Sequence, residues 1–157
     1  NDAGKMETVS GTREVVIQSV QILNSECEPV EYVSVGESVA LKVCLEAREN
    51  VSELTLGYMI KDRLGQAIFG TNTHHYNKKI ENVLSGDLIE ISFLVSLNLG
   101  VGSYSISVAA HSDETHLNKN YEWRDQAIVF NVVNSSKQTF VGSAWLEQSI
   151  EVKHVRY

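Results

Sequence analysis

The 157-residue sequence contains two cysteines, one proline, few basic residues and no long apolar run. Cys27 and Cys44 are too few for a disulfide framework, and we favour free thiols over a single bridge between sheets because their spacing is short. No apolar run approaches the roughly 18 residues of a membrane span. Thirteen Lys and Arg stand against 20 Asp and Glu, a net charge of −7. We therefore predict no nucleic-acid partner and no direct membrane insertion.

The motifs of the common catalytic sites are also missing. The sequence has no GxxxxGK[ST] phosphate loop, no GxSxG nucleophile elbow and no HExxH zinc motif. The segment HSDETH, residues 111–116, is expected to be a polar loop rather than a metal site. Paired carboxylates for glycosidic cleavage leave no local signature, so a glycan-processing enzyme is the least favoured alternative. We predict no catalytic residue, no metal and no cofactor.

The start of the chain lacks both an initiator Met and the apolar core of a signal peptide. We expect a processed protein or an excised piece of a longer one. Residues 1–13 are polar and without periodicity, so they are predicted to be a flexible linker.

What the sequence does contain is a repeated alternation of apolar and polar residues. Such runs, separated by turn signals, predict at least seven strands, at 14–24, 39–46, 54–61, 67–74, 89–95, 104–111 and 128–132. Asp62 and Gly65 mark a type I turn between two strands of a hairpin. One domain at 14–133 with an all-β, immunoglobulin-like antiparallel β-sandwich fold is predicted, and a jelly roll is the alternative.

The C-terminal segment, residues 134–157, is predicted to be a linker followed by one more strand. Large apolar residues recur in it although the sandwich already has enough strands. The strand either packs on its own domain or is exchanged with a second copy to form a homodimer. The residues assigned to dimerisation are Phe140, Trp145, Leu146, Ile150 and Val152.

The residues that alternate with the core are unusually small on three predicted strands. Gly57, Gly70, Ser105, Ser107 and Ala109 would leave a shallow trough if these strands are neighbours. Polar and aromatic side chains around it suit a sugar, whose ring stacks on aromatic faces and whose hydroxyls need hydrogen bonds. The predicted carbohydrate-binding residues are Gly57, Met59, Lys61, Asn72, His74, Ser105, Ser107, His111, Tyr121, Trp123 and Arg124. In the alternative interpretation Trp123 fills the core and a loop or a protein partner covers the small residues.

The hairpin LGYMIKDRLGQAIFGTNT, residues 56–73, resembles the C-terminal domain of Wzt-type proteins, the ATPase subunits of bacterial ABC exporters of O-antigen polysaccharide. A GxxIxDxxGxxxFGTNT arrangement carries the resemblance. Two later segments, LGVGSYSISVAAH and WRDQAIVFNV, are similar to later strands of the family, and so is Gly142 within an apolar tail. The resemblance covers about residues 14–155.

The resemblance implies a non-catalytic module that recognises the non-reducing end of O-antigen polysaccharide, often capped, and couples completion of the glycan to export. It implies a homodimer with an exchanged last strand. It also implies a cytoplasmic location at the inner membrane, with the nucleotide-binding domain of the same full-length chain and the membrane exporter subunit as partners. A pure protein-interaction domain is the alternative. The family offers no universal catalytic motif, so the predicted site residues depend on the strand faces alone.

Overall fold

The computed structural model describes residues 8–112 and 119–156, and these form a sandwich of two β-sheets without a helix. The predicted all-β antiparallel sandwich is confirmed. The strands are β1 (Thr8–Ser10), β2 (Val15–Leu23), β3 (Tyr32–Ser34), β4 (Ser38–Ala47), β5 (Val51–Asp62), β6 (Ala67–Asn72), β7 (Ile80–Val83), β8 (Leu88–Ser96), β9 (Gly102–His111) and β10 (Asn120–Val133).

The larger sheet has the strand order β1-β10-β9-β5-β6, with β7 added beside β5 and β3 added beside β10. The smaller sheet has the order β2-β4-β8. All these pairs are antiparallel except β3 with β10, which is parallel. The larger sheet therefore presents one broad outer face, crossed by β6, β5, β9 and β10.

The core lies between the sheets and follows the predicted alternation. On β4 the inward residues Val39, Leu41, Val43 and Leu45 are all buried. Tyr104 on the facing sheet stacks on Phe130 with ring centroids 5.6 Å apart. Burying one such side chain stabilises the fold by about 1.5–3 kcal/mol, which is why the pattern determines which face is outside.

The turn between β5 and β6 forms as the sequence predicts. Gly65 donates its backbone N–H to the carbonyl of Asp62 (3.0 Å), and its φ of 83° lies where glycine is favoured. The Asp62 side chain also accepts the amides of Leu64 and Gln66, both at 2.9 Å. This closure sets the register of β6 against β5.

Several segments differ from the prediction, which has no counterpart of the short strands β3 and β7. Residues 8–10 of the predicted linker form β1, which pairs with β10. Strand β10 begins at Asn120, well before the predicted start at Ile128. Its first half escaped detection because Glu122 and Arg124, which point into the sandwich, break the apolar alternation.

The C-terminal segment forms no strand over residues 134–156. Its backbone is attached to the domain where Gly100 donates to the Ser143 carbonyl (3.1 Å) and Trp145 donates to the Asn98 carbonyl (3.0 Å). Near its start, the hydroxyls of Ser34 and Ser135 are also hydrogen-bonded at 2.7 Å. Phe140 and Trp145 pack edge to face at 5.0 Å against the core. Within its own copy the backbone of the segment pairs at the isolated antiparallel bridge between Leu99 and Ala144, which is too short to be a strand. The predicted last strand is thus absent from this single chain, and its exchange stays a prediction.

Candidate functional site

The outer face of the larger sheet brings the small residues into register. Asn72 of β6 is opposite Gly57 of β5, Gly57 is opposite Ala109 of β9, and Ala109 is opposite Trp123 of β10. In the next row Gly70 is opposite Met59, and Met59 is opposite Ser107. The strands that the sequence places around a trough are therefore neighbours.

These rows form the floor of an open surface cavity of about 520 Å³, which we call the trough. Cavities of this size are typical of small-ligand sites. Its floor consists of small residues and backbone. The residues around it are Gly57, Tyr58, Met59, Lys61, Gly70, Thr71, Asn72, His75, Ser107, Val108, Ala109 and Trp123.

Glycine relieves crowding on the trough floor, where β6 and β5 approach closely. A Cβ on Gly57 would lie 3.1 Å from the Cβ of Asn72 and 3.2 Å from the Thr71 carbonyl oxygen. A Cβ on Gly70 would lie 3.2 Å from the Tyr58 carbonyl oxygen. A larger residue at either position would push β6 away from β5 as well as fill the trough.

A charged cluster closes one end of the trough. Lys61 donates to Oδ1 of Asp125 at 3.2 Å, and the Ser107 hydroxyl and the Gln126 amide donate to the same oxygen. The Ser107 hydrogen bond and the Lys61 ammonium hold the pKa of the Asp125 carboxyl below its ordinary value of 3.8. The Lys61 ammonium also lies 5.9 Å from the Trp123 ring centroid, within the range of a cation–π contact.

The polar end of β6 has two separate roles. Thr73 is buried, and its hydroxyl and amide bond the backbone of Leu56, so it fixes the end of the strand. Asn72 accepts the His75 amide on its side-chain oxygen at 2.8 Å, which folds the following turn back toward the trough. His75 is consequently on the trough rim, while His74 is exposed outside it.

Of the predicted carbohydrate-binding residues, a little more than half line the trough. They are Gly57, Met59, Lys61, Asn72, Ser107 and Trp123. Trp123 is half-buried on the outer face and is not a core residue.

Ser105, His111 and His74 are not among the trough residues. Ser105 is opposite Lys61 and is buried. His111 is opposite Thr55, one row past Gly57, and its Nδ1 lies 3.2 Å from the Ser112 carbonyl oxygen. Both are on the predicted face but next to the trough rather than in it.

Tyr121 and Arg124 point away from the trough. Tyr121 is buried in the core, with its hydroxyl 3.3 Å from the Glu53 carbonyl oxygen. Arg124 donates to Glu122 and to the Ile17 carbonyl of the smaller sheet. Side chains alternate along β10, so Trp123 and Arg124 cannot share a face. Tyr121 would share the face of Trp123 by the same rule, but the ladder with β9 is irregular between Asn120 and Glu122, and Tyr121 packs in the core. The assignment of both residues to the site is therefore corrected.

Sequence reasoning missed Thr71 and Asp125 and left His75 out of the site. Asp125 could have been found, because it follows Trp123 by two residues and so shares its face. His75 could not, since its position depends on the turn that Asn72 closes.

No group of three or more His, Cys, Asp and Glu side chains that could hold a metal occurs in residues 8–112 and 119–156. The segment around Asp113, Glu114 and His116 lies outside the described residues. Cys27 and Cys44 carry no disulfide. The structure contains no helix, in the part that it describes, that is long and apolar enough to span a membrane.

Solved structures with the same fold include one titled as the C-terminal domain of wzt. It has a TM-score of 0.82 and 19% sequence identity, over 94% of this chain and 89% of the other. A Niemann-Pick type C2 protein from the Japanese carpenter ant is similar at a TM-score of 0.55 and 9% identity, over 82% of this chain and all of the other. At these identities the likeness shows the fold alone.

A comparison with curated protein sequences finds no match. The family model of the Wzt C-terminal domain matches residues 6–146, which is most of the chain. That match, together with the sandwich fold, gives the identity: the chain belongs to the Wzt C-terminal domain family.

Proposed function

We propose that this domain is a non-catalytic carbohydrate-binding module that recognises the non-reducing end of an O-antigen polysaccharide and couples completion of the glycan to its export by an ABC transporter. Membership of the Wzt C-terminal domain family supports the export role. The trough on the outer face of the larger sheet is the observation that carries the binding role.

The trough offers the two kinds of contact that a sugar ring requires. Trp123 and the exposed Met59 supply apolar surface for the C–H face of a pyranose. Asn72, Lys61 and Asp125 supply amide, ammonium and carboxylate groups for its hydroxyls. Because the trough is open, the end of a glycan can enter it while the rest of the polymer extends into solvent.

In the full-length protein we place this module behind a nucleotide-binding domain, in the cytoplasm, at the inner membrane through the exporter subunit. ATP hydrolysis then belongs to that other domain. The sequence of the module has no phosphate loop, in agreement with this division of work.

The C-terminal segment supports a homodimer. Leu146, Ile150 and Val152 are each more than 70% exposed, and Ile150 and Val152 are spaced for one face of a strand. A suitable acceptor is the free edge of β8, whose inner residues are only half-buried. We propose that the segment of one copy pairs with this edge in a second copy.

The binding role can be tested by titrating the isotope-labelled domain with intact O-polysaccharide and with the same polymer after removal of its terminal residue. Chemical shift changes at Gly57, Gly70 and Ala109 with the intact polymer alone are the expected result. W123A should weaken binding about tenfold, since it removes the stacking surface. Y32A is the matched control, because Tyr32 is an exposed aromatic residue on β3, outside the trough.

If neither polymer shifts the trough residues, the carbohydrate role fails. The alternative function is a protein-interaction domain, and the exposed apolar C-terminal segment favours it. In that case W123A would weaken association with a protein partner, and neither the wild type nor the variant would bind the glycan.

A further inference from the structure

The trough contains a lysine, yet its positive charge is already matched within the protein. The side chains of Lys61 and Asp125 are 22% and 27% exposed, and their nearest nitrogen and oxygen are 3.2 Å apart. Lys61 lines the trough, and Asp125 lies beside it, bonded to the lining residues Lys61 and Ser107 and partly exposed to solvent. The pair presents an ammonium and a carboxylate side by side with no net charge.

The fold holds Asp125 firmly in this position. Between Arg124 and Ile128 the ladder of β10 with β9 is interrupted by a bulge, and Gln126 adopts a positive φ of 50° there. The bulge lets the Gln126 amide donate to the Asp125 carboxylate, beside the Ser107 hydroxyl and Lys61. All three donors use Oδ1, and a carboxylate has about four acceptor positions, so Asp125 can still accept from a ligand.

Apart from Lys61 and the His75 side chain on the trough rim, the surroundings lack what an anionic ligand needs. Phosphate and carboxylate groups are usually held by arginine forks, by helix N-termini or by nests of unpaired backbone amides. Arg124 points into the sandwich, and no helix occurs in the described residues. The floor is made of paired strands, whose amides are used in the ladder. A phosphate beside Lys61 would also lie beside the Asp125 carboxylate.

From this geometry we infer that the trough selects an uncharged glycan terminus, and that the Lys61–Asp125 pair is its specificity determinant. The inference rests on the proposed carbohydrate function. Two neighbouring hydroxyls of the terminal sugar bridge the pair, one accepting from the Lys61 ammonium and the other donating to the Asp125 carboxylate. The apolar side of the ring, with any methyl substituent, lies over Trp123 and Met59. A terminal phosphate is rejected by the carboxylate.

The test uses an array of bacterial O-polysaccharides whose non-reducing ends are unsubstituted, O-methylated or phosphorylated. Binding is measured at about pH 8, where histidine side chains in general are uncharged. D125N keeps the shape of the side chain but removes its charge and leaves Lys61 uncompensated. E90Q is the matched control, because Glu90 pairs with Lys42 at 3.3 Å on the other sheet.

We expect the wild-type domain to bind one or more neutral termini at least about tenfold more tightly than the corresponding phosphorylated ones. D125N should narrow or reverse that ratio, and E90Q should leave it unchanged. Circular dichroism of each variant verifies the fold. If D125N does not fold, the wild-type ratio together with that of K61M decides the question, since K61M should reject phosphate even more strongly.

Two other outcomes are distinct. A wild-type preference for phosphorylated termini would overturn the neutral-terminus inference and leave the carbohydrate function standing. Failure to bind any terminus would remove the proposed function itself.

Discussion

Glu122 and Arg124 form an ion pair inside the sandwich, with 2.9 Å between Oε1 of Glu122 and Nη2 of Arg124. The Arg124 guanidinium also donates to the Ile17 carbonyl at 2.7 Å, and Ile17 donates its amide to the second carboxylate oxygen of Glu122. Ile17 belongs to β2, an edge strand of the smaller sheet, at a bulge. The pair therefore bonds both the amide and the carbonyl of Ile17 on the outer edge of β2. It links the two sheets in this way.

R124M should lower the free energy of unfolding by about 3–5 kcal/mol, because it leaves the fully buried Glu122 carboxylate without its cation. Urea denaturation followed by circular dichroism measures the change. K42M is the control, since the exposed Lys42–Glu90 pair should contribute no more than about 1 kcal/mol. Equal effects of the two variants would contradict a structural role for the buried pair.

The attachment of the C-terminal segment depends on Gly100. A Cβ at this position would lie 1.8 Å from the Gly142 carbonyl oxygen, a clash between two backbone segments. G100A should lower the free energy of unfolding by about 1–3 kcal/mol and displace the segment. Emission from Trp145, measured in a W123F background, should shift to the red as the indole leaves the core against which it packs.

Gly65 supplies the control for this prediction. Its φ is 83°, but a Cβ there would meet nothing within 4 Å. G65A should therefore show only the conformational cost of a left-handed residue, about 1–2 kcal/mol, with unchanged Trp145 emission. A red shift in G65A as well would mean that the emission reports general destabilisation.

Acid should weaken the fold partly through Asp125. Its pKa is lower in the folded protein than the ordinary 3.8, first because of the Ser107 hydroxyl and then because of Lys61. A lowered folded-state pKa contributes stability above the unfolded-state value, and that contribution is lost as the pH falls through the folded-state value. We expect the stability difference between wild type and D125N to shrink from pH 6 to pH 2. The free energy of unfolding of S107A should fall less than that of the wild type over the same pH range, because without the Ser107 hydroxyl the pKa of Asp125 returns toward 3.8. A constant difference between wild type and D125N would refute the linkage.

The dimer proposal predicts that the apolar positions of the C-terminal segment control association. I150D/V152D should convert a dimer to a monomer in multi-angle light scattering, because a carboxylate on the inner face of an added strand would be desolvated. E151S/K153S, on the alternate positions, should leave the dimer intact. A wild-type protein that is monomeric at about 100 μM would remove the proposal, since an exchanged strand should give a much tighter dimer.

Much of the fold could be predicted from the sequence where a strand has one solvent-exposed face and one buried apolar face. The alternation on β4 and β9 places their core residues correctly, and Asp62 with Gly65 identifies the hairpin turn. The short strands β3 and β7 carry too few residues for a period to show. The first half of β10 was missed because its inward residues include a buried ion pair, which looks polar until its partner strand is known.

The residues that line the candidate site could be predicted where backbone alternation alone decides their position. Gly57, Met59 and Lys61 were placed on one face by their spacing, and so were Asn72 and Ser107. The errors at Tyr121 and Arg124 arose from treating a strand as a loop, in which neighbouring side chains could converge. The face of Asp125 follows from its two-residue spacing from Trp123, but the position of His75 depends on a turn and has no simple sequence period.

The bulge in β10 has a further consequence for how the chain can vary in length. From Arg124 to Ile128 there are four residue steps on β10, opposite two on β9, so two residues are inserted. An even insertion preserves side-chain parity, which is why Phe130 and Val132 still face the core after the interruption. Removal of one residue here would move the core-facing side chains of the following residues to the outer face. Removal of two would leave them facing the core and alter the local position of Asp125. We therefore expect relatives to differ in length at this point by two residues rather than by one.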